Sequence, residues 1–243
     1  MLSGRRRCTR CGWNRCADGA AYGKVPGRDS FLCPTPRLGN LGYGVDKLLM
    51  DITIDALPVT RENLEGYSTI PIAFTATSVL RVDEVDGGLG GFTLTEEPLP
   101  EPVLHDGDAL EPPGPLHLLD FGWDLSRWVM LCAFDGERRA AGAVVAVHTE
   151  GMWFLRGRTD TSALWDIRVG YDYRRRGVGR ALIEAAVTWS RARGLVRMKI
   201  ETQNTNVTAC RFYQAMGARL GGVERFAYTN VPDEVELDWY LDL

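Results

Sequence analysis

Four arginines and two glycines crowd one short stretch of the chain: Arg174, Arg175, Arg176, Gly177, Val178, Gly179 and Arg180. A glycine-rich turn that runs into a helix leaves the first backbone N–H groups of that helix without partners. Together with the helix dipole, those groups bind phosphate-type anions. Glycine matters there because a side chain would block close approach of the anion, and arginines add charge-assisted hydrogen bonds. The pattern Arg174-x-x-Gly177-x-Gly179 is neither of two common phosphate motifs. A P-loop requires Gly-x4-Gly-Lys-Ser/Thr, which the chain lacks. A dinucleotide fingerprint would require a third glycine where Leu182 stands.

The elements that must position this turn can be read on either side of it. "ALWDIRVGYDY" (163–173) reads as a strand leading into the turn. Beyond it, Val178, Leu182, Ala185 and Trp189 recur on one face of a helix that Gly194 stops, with Arg191 and Arg193 in its last turn. "VRMKIET" (196–202) alternates as a further strand. "TNVTACRFYQAMGA" (205–218) reads as a second helix that Asn206 or a threonine can cap and Gly217 can end, and "VELDWYLDL" (235–243) as a closing strand. Upstream, "MDITIDAL" (50–57) reads as a first strand and 59–67 as a helix capped by Thr60. "SVLRV" (78–82) and "GGFTLTEE" (90–97) read as strands around a glycine turn. The apolar runs 128–135 and 140–149 read as a buried hairpin joined by "GERR". The segment 98–115 holds six of the twelve prolines and is expected to be an exposed loop. Strands followed by strand–helix–strand–helix–strand make an α+β, or mixed α/β, class.

The whole chain carries a net charge of −4, unevenly spread. Residues 1–49 hold nine Lys/Arg against three Asp/Glu, whereas 82–126 hold eleven carboxylates and no Lys or Arg. A basic surface beside an acidic one suits one anionic and one cationic ligand. No nucleic-acid partner is expected, and no apolar run approaches the ~18 residues of a membrane span. "GRRRCTRCGWNRC" has no apolar core to make a secretory signal, so a cytoplasmic location is expected. Cys8, Cys11, Cys16 and Cys33 include one Cys-x2-Cys, but without a second pair or a nearby histidine no metal site is expected. Residues 1–49 are expected to be a disordered or non-native extension, with a metal-binding segment as the alternative, and 50–243 to be one domain. Cys132 and Cys210 are expected in the core.

The turn resembles the acetyl-CoA pyrophosphate loop of the GCN5-related N-acetyltransferase (GNAT) family, which reads Arg/Gln-x-x-Gly-x-Gly/Ala between a strand and a helix. The family continues with a strand and a second helix bearing Asn, Ala, Tyr and Gly. Here those are Asn206, Ala209, Tyr213 and Gly217. The resemblance covers about 128–243 and implies the GNAT fold, a central mixed, mostly antiparallel sheet flanked by helices. Residues 74–102, "DIRVGYDYRRRGVGRALIEAA" and "ETQNTN" further resemble the streptothricin acetyltransferases within that family. Trp165 and Ala218 depart from the family pattern, with Trp165 standing where an acidic residue is frequent.

The resemblance implies an acetyl-CoA-dependent N-acetyltransferase acting on a primary amine of a cationic small molecule, with streptothricin and antibiotic resistance as first reading. Another amine (a polyamine, an aminoglycoside or a protein N-terminus) or a non-catalytic acyl-CoA sensor are the alternatives, and a homodimer is a common assembly of such domains. By the same resemblance, the backbone of Ile167, Arg168 and Val169 pairs with the pantetheine arm. The N–H groups of Arg175, Arg176, Gly177, Val178, Gly179 and Arg180 cradle the pyrophosphate, with Arg174, Arg175, Arg176 or Arg180 adding charge. Asn206 contacts the pantetheine or caps its helix, Ala209 lies on the cofactor side, and Tyr213 is the acid that protonates the departing thiolate. A lysine-like amine, with a pKa of about 10.4, arrives charged and needs a base. Asp166 and Glu201 are the candidates. Glu96, Glu97, Asp120 and Asp124 are expected to attract a polycation.

Overall fold

The structure, a computed structural model, describes residues 52–109 and 114–243. The expected extension 1–49, with its four cysteines, lies outside them. Nine strands and three α-helices follow one another among the described residues: β1 (Ile52–Leu57), α1 (Arg61–Ser68), β2 (Phe74–Glu84), β3 (Phe92–His105), β4 (Val129–Asp135), β5 (Arg138–Ala146), β6 (Thr161–Val169), α2 (Val178–Arg191), β7 (Arg197–Gln203), α3 (Val207–Ala215), β8 (Arg219–Glu224) and β9 (Glu236–Asp242). Seven of the strands form one sheet in the order β1-β4-β5-β6-β7-β9-β8, and only β6–β7 is a parallel pair. The fold is thus mixed α/β with a mostly antiparallel sheet.

The sheet forms because its central strands are apolar on both faces. β4 and β5 are almost wholly buried, and a two-residue Gly136–Glu137 turn joins them, with Gly136 at φ 58. The expected four-residue turn is shorter because Arg138 and Arg139 already pair in the ladder. α2 lays Val178, Leu182, Ile183, Ala185, Ala186 and Trp189 against β1, β4, β5 and β6. On the opposite face α1, capped by Thr60 Oγ1, buries Leu64 and Tyr67 against β5. Gly142 of β5 makes room for the Tyr67 ring: a Cβ at that position would lie 2.7 Å from Tyr67 Cε2.

β2 and β3 form a separate two-stranded sheet. Here the structure corrects the expected loop at 98–115, because 98–105 belongs to β3. The strand accepts its prolines because a two-stranded sheet has free edges on both sides. Moreover, the register jumps from Ser78–Pro98 to Ala76–Val103, so Pro100 and Pro102 fall in a bulge that asks no donor of them. Short 3-10 turns follow at Gly107–Ala109 and Gly114–Phe121. The hairpin is stapled to the main sheet by Asn204, only 4% exposed, which donates to Leu80 O (3.0 Å) and accepts from Val235 N (2.8 Å). β8 was not legible in the sequence. It is a short edge strand with two glycines, paired only to β9.

Candidate active site

The β6–β7 ladder runs only from Thr161–Arg197 to Leu164–Ile200, although β6 continues to Val169 and β7 to Gln203. The break coincides with a β-bulge. Val145 pairs with Leu164 and Val144 with Asp166, which leaves Trp165 as the extra residue. A bulge bends its strand and increases its twist, so β6 leaves β7 at this point. From Ile167 to Val169, β6 is paired only with β5, and its other edge faces the opening. The expected backbone edge Ile167, Arg168, Val169 is therefore in place to pair with an extended ligand.

The side chains of this edge have other work. Arg168, 3% exposed, grips Asp166 through Nε (3.2 Å to both oxygens) and Nη2 (3.1 Å), and Asp108 through Nη1 (2.8 and 2.9 Å). It also donates to Ile70 O (3.1 Å). The Tyr67 hydroxyl donates a hydrogen bond to Asp166 Oδ1 (2.9 Å). Burial opposes the Arg168 charge, but the neighbouring Asp166 outweighs it and holds the guanidinium pKa above its ordinary value. Burial first, then the Asp166 charge, pushes the Tyr67 phenol well up. Asp166 is thus a buried counter-ion with both oxygens engaged.

Glu201 lies one step beyond the last β6–β7 pair, opposite Asp238 of β9. Burial raises its pKa above the usual glutamate range. Tyr228, which donates to Glu201 Oε1, works the other way, and the Asp238 charge reinforces the rise. On the same face of the sheet, Glu236 is pushed up to about 7 by burial and by the charges of Glu201 and Asp238. Lys199 offsets part of this acidity. Its Nζ sits 2.8 Å from Asp238 Oδ1, with both side chains 5% exposed, and 4.0 Å from the Phe154 ring centre. Tyr213, on α3, completes the group. Its phenol is raised by burial and then by the charges of Asp166 and Glu201, so it keeps its proton at neutral pH. The structure therefore brings Asp166 and Glu201 both near Tyr213.

The arginine–glycine turn closes the far end of β6. Gly177 takes a left-handed conformation (φ 84, ψ −8) as the N-cap of α2 and supplies no side chain to cap it. Val178 turns its side chain into the core, and Gly179 faces Phe212 and the Val169 side chain. A Cβ at Gly179 would stand 3.5 Å from the Phe212 ring. The arginines divide their roles. Arg174 donates to Val169 O (3.0 Å) and Ala73 O (3.1 Å) and lies over the Tyr171 ring, so it clamps the turn. Arg175, at φ 58, and Arg176 are exposed, and Arg180 lies 4.0 Å from Glu184. Asn206 Oδ1 accepts from Ala209 N (3.1 Å), so the cap is formed.

Of the acidic residues expected to draw a cation, Glu96 is bound to Arg211 and Ser78 and Glu97 to Arg81, and Asp124 accepts from Ser126 N; Asp120 is exposed. The sequence reading missed Tyr67, Asp108, Lys199, Tyr228, Glu236 and Asp238. The alternation of β7 and β9 signals that Lys199, Glu201 and Asp238 share a face once the strands are known to pair. No local signal tells that they pair. The thiols of Cys132 and Cys210 are buried, and burial raises each to about 12, so neither is a nucleophile at neutral pH. Among the described residues no group of His, Cys, Asp and Glu is placed to hold a metal ion, and no helix is long and apolar enough to cross a membrane.

The model of the Acetyltransferase (GNAT) family matches residues 93–218, just over half of the chain. Streptothricin acetyltransferase A of Bacillus subtilis (strain 168) is 38% identical over 77 residues, 31% of this chain and 44% of that protein, so the chain matches less than half of its length. Streptothricin acetyltransferase of Escherichia coli is 37% identical over 138 residues, 51% of this chain and 79% of that protein. The crystal structure of a Bacillus anthracis str. Ames protein in complex with acetyl coenzyme A superposes with a TM-score of 0.60 at 23% identity, covering 79% of this chain and 99% of that one. That likeness shows the fold.

Proposed function

Since the chain belongs to the acetyltransferase (GNAT) family, we propose that it moves an acetyl group from acetyl coenzyme A to a primary amine of streptothricin, on its β-lysine arm, as a cytoplasmic resistance enzyme. The observation that carries this reading is the meeting of Glu201 and Tyr213 at the opening where β7 leaves β6. One side chain accepts a proton and the other donates one. The opening also fits the co-substrate. The edge of Ile167–Val169, which no strand pairs although Val169 O accepts from Arg174, suits an amide-bearing arm, and the glycine-capped N-terminus of α2 suits a pyrophosphate. When bound, coenzyme A supplies the acetyl thioester.

The chain's own residues then divide the work. A backbone N–H of the Ile167–Val169 edge is positioned to polarise the acetyl carbonyl, and Arg175, Gly177, Val178 and Gly179 offer main-chain donors to phosphate. Arg174 holds the turn, with Nε donating to Val169 O and Nη2 to Ala73 O. Glu201 is the base. Its raised pKa brings it nearer to the pH at which proton transfer is efficient, and it takes a proton from the substrate ammonium at a carboxylate oxygen. Asp166 is set aside as base because Arg168 and Tyr67 occupy its oxygens. Tyr213 Oη holds the proton that the departing sulfur needs. Glu236 and Glu201 give the acceptor side the negative wall that a polycation requires, while Asp238 is paired with Lys199.

Identity to two streptothricin acetyltransferases supports the choice of amine. Release of free thiol from acetyl coenzyme A, measured against streptothricin, a polyamine, an aminoglycoside and an alanine-terminated peptide, tests it. Preferred turnover of streptothricin, with a product one acetyl group heavier, is expected. A higher kcat/KM for any other amine overturns the substrate.

A further inference from the structure

A cluster of aromatic rings adjoins the opening and is used by none of the steps above. Trp165, the bulged residue of β6, packs against Trp123 (5.5 Å between ring centres), Trp128 (5.6 Å) and Phe154 (5.8 Å). Trp123 stacks on Phe121 at 4.3 Å and 17°, and Trp153 meets both rings at 5.2 and 5.4 Å. The inner rings are covered, but Trp153 is 60% exposed and Phe121 39%. Two large aromatic side chains held edge to face at the surface are costly to leave in water unless something lies on them.

Three observations say what that something is. The cluster is continuous with the acceptor wall: Phe154 carries the Lys199 ammonium on its face and accepts from it at its carbonyl (3.3 Å), and Lys199 joins Asp238, which pairs with Glu201 across β7–β9. The rings of this cluster already hold one cation, as the negative face of an aromatic ring does. Asp120 and Asp124, which flank Phe121 and Trp123 in the chain, are exposed, while Arg156, whose backbone N–H is bonded to Trp153 O, reaches towards Asp238 at 4.0 Å. A flat or compact cation is matched both by the ring faces and by these two carboxylates.

We propose that Phe121, Trp123 and Trp153 form a stacking shelf for a cationic group of the acceptor distant from the amine that is acetylated. The inference rests on the acceptor being an extended polycation, as proposed above. The shelf holds one end of that molecule while the other end reaches Glu201. It therefore selects for acceptors long enough to span both, and a short amine gains nothing from it.

The test compares streptothricin with β-lysine amide, a short acceptor bearing the same kind of amine. For Trp153→Ala and Phe121→Ala, KM for streptothricin is expected to rise about tenfold, the worth of a partly desolvated cation–ring contact. KM for β-lysine amide and for acetyl coenzyme A should stay within about twofold, which also reports an intact fold, and Trp153→Phe should restore most of the loss. Turnover of streptothricin by the wild type with no selective rise in its KM overturns the shelf alone. Failure of the wild type to acetylate streptothricin while it acetylates another amine overturns the substrate reading on which the shelf rests.

Discussion

Replacing Asp166 by asparagine separates the two roles that a carboxylate on β6 can have. In the structure its oxygens accept from Arg168 Nε and Nη2 at 3.1–3.2 Å and from Tyr67 Oη at 2.9 Å, and its side chain is 11% exposed. Removing one partner of a buried ion pair costs about 3–5 kcal/mol. Arg168 keeps Asp108 through both oxygens, and Tyr67 keeps Gly142 O at 3.2 Å as an alternative acceptor. The expected cost is therefore nearer 2–3 kcal/mol. For a domain of this size that lowers Tm by roughly 4–12 °C. Thermal unfolding followed by circular dichroism reads the loss, and thiol release at 20 °C or so reads activity. A less than ~10-fold fall in kcat is expected, with the acidic limb of the kcat profile unmoved, because on the proposed reading that limb belongs to Glu201. A kcat reduced by ~10³ or more, with Tm unchanged and the limb abolished, would refute the reasoning and make Asp166 the base.

Glu201→Gln should lower kcat by about 10²–10³ and remove the acidic limb, which in the wild type should lie above the ordinary glutamate range because burial raises this group; a pH–rate profile checks both. Glu236 should be half ionised at about 7, so KM for a cationic acceptor should fall as pH rises through that value, and Glu236→Gln should flatten the dependence in steady-state titrations. Asn204→Ala orphans Leu80 O and Val235 N, two groups worth about 1–3 kcal/mol each, so urea unfolding should show a loss of about 2–6 kcal/mol.

What was legible in the chain is what local pattern carries. The helix after the arginines was readable because Val178, Leu182, Ala185 and Trp189 repeat at helical spacing, and all four are buried. The hairpin of β4 and β5 was readable because both faces are apolar. Gly177 was readable as a turn because its left-handed backbone has few other occupants. The loop expected at 98–115 misread proline, whose prohibition holds for central strands and lapses in a bulged edge.

By itself, the sequence determined most of the elements, the glycine turn and a short list of residues able to move protons. Only the tertiary structure gives them different surroundings. Asp166 and Glu201 are equivalent carboxylates in a sequence. Packing gave the first to Arg168, two residues along the strand, and to Tyr67 and Asp108, many residues away. It enclosed the second beside Asp238 and Tyr228. Their difference is one of burial and of charges brought near by chain segments distant in sequence, and such fields exist only once the sheet has closed.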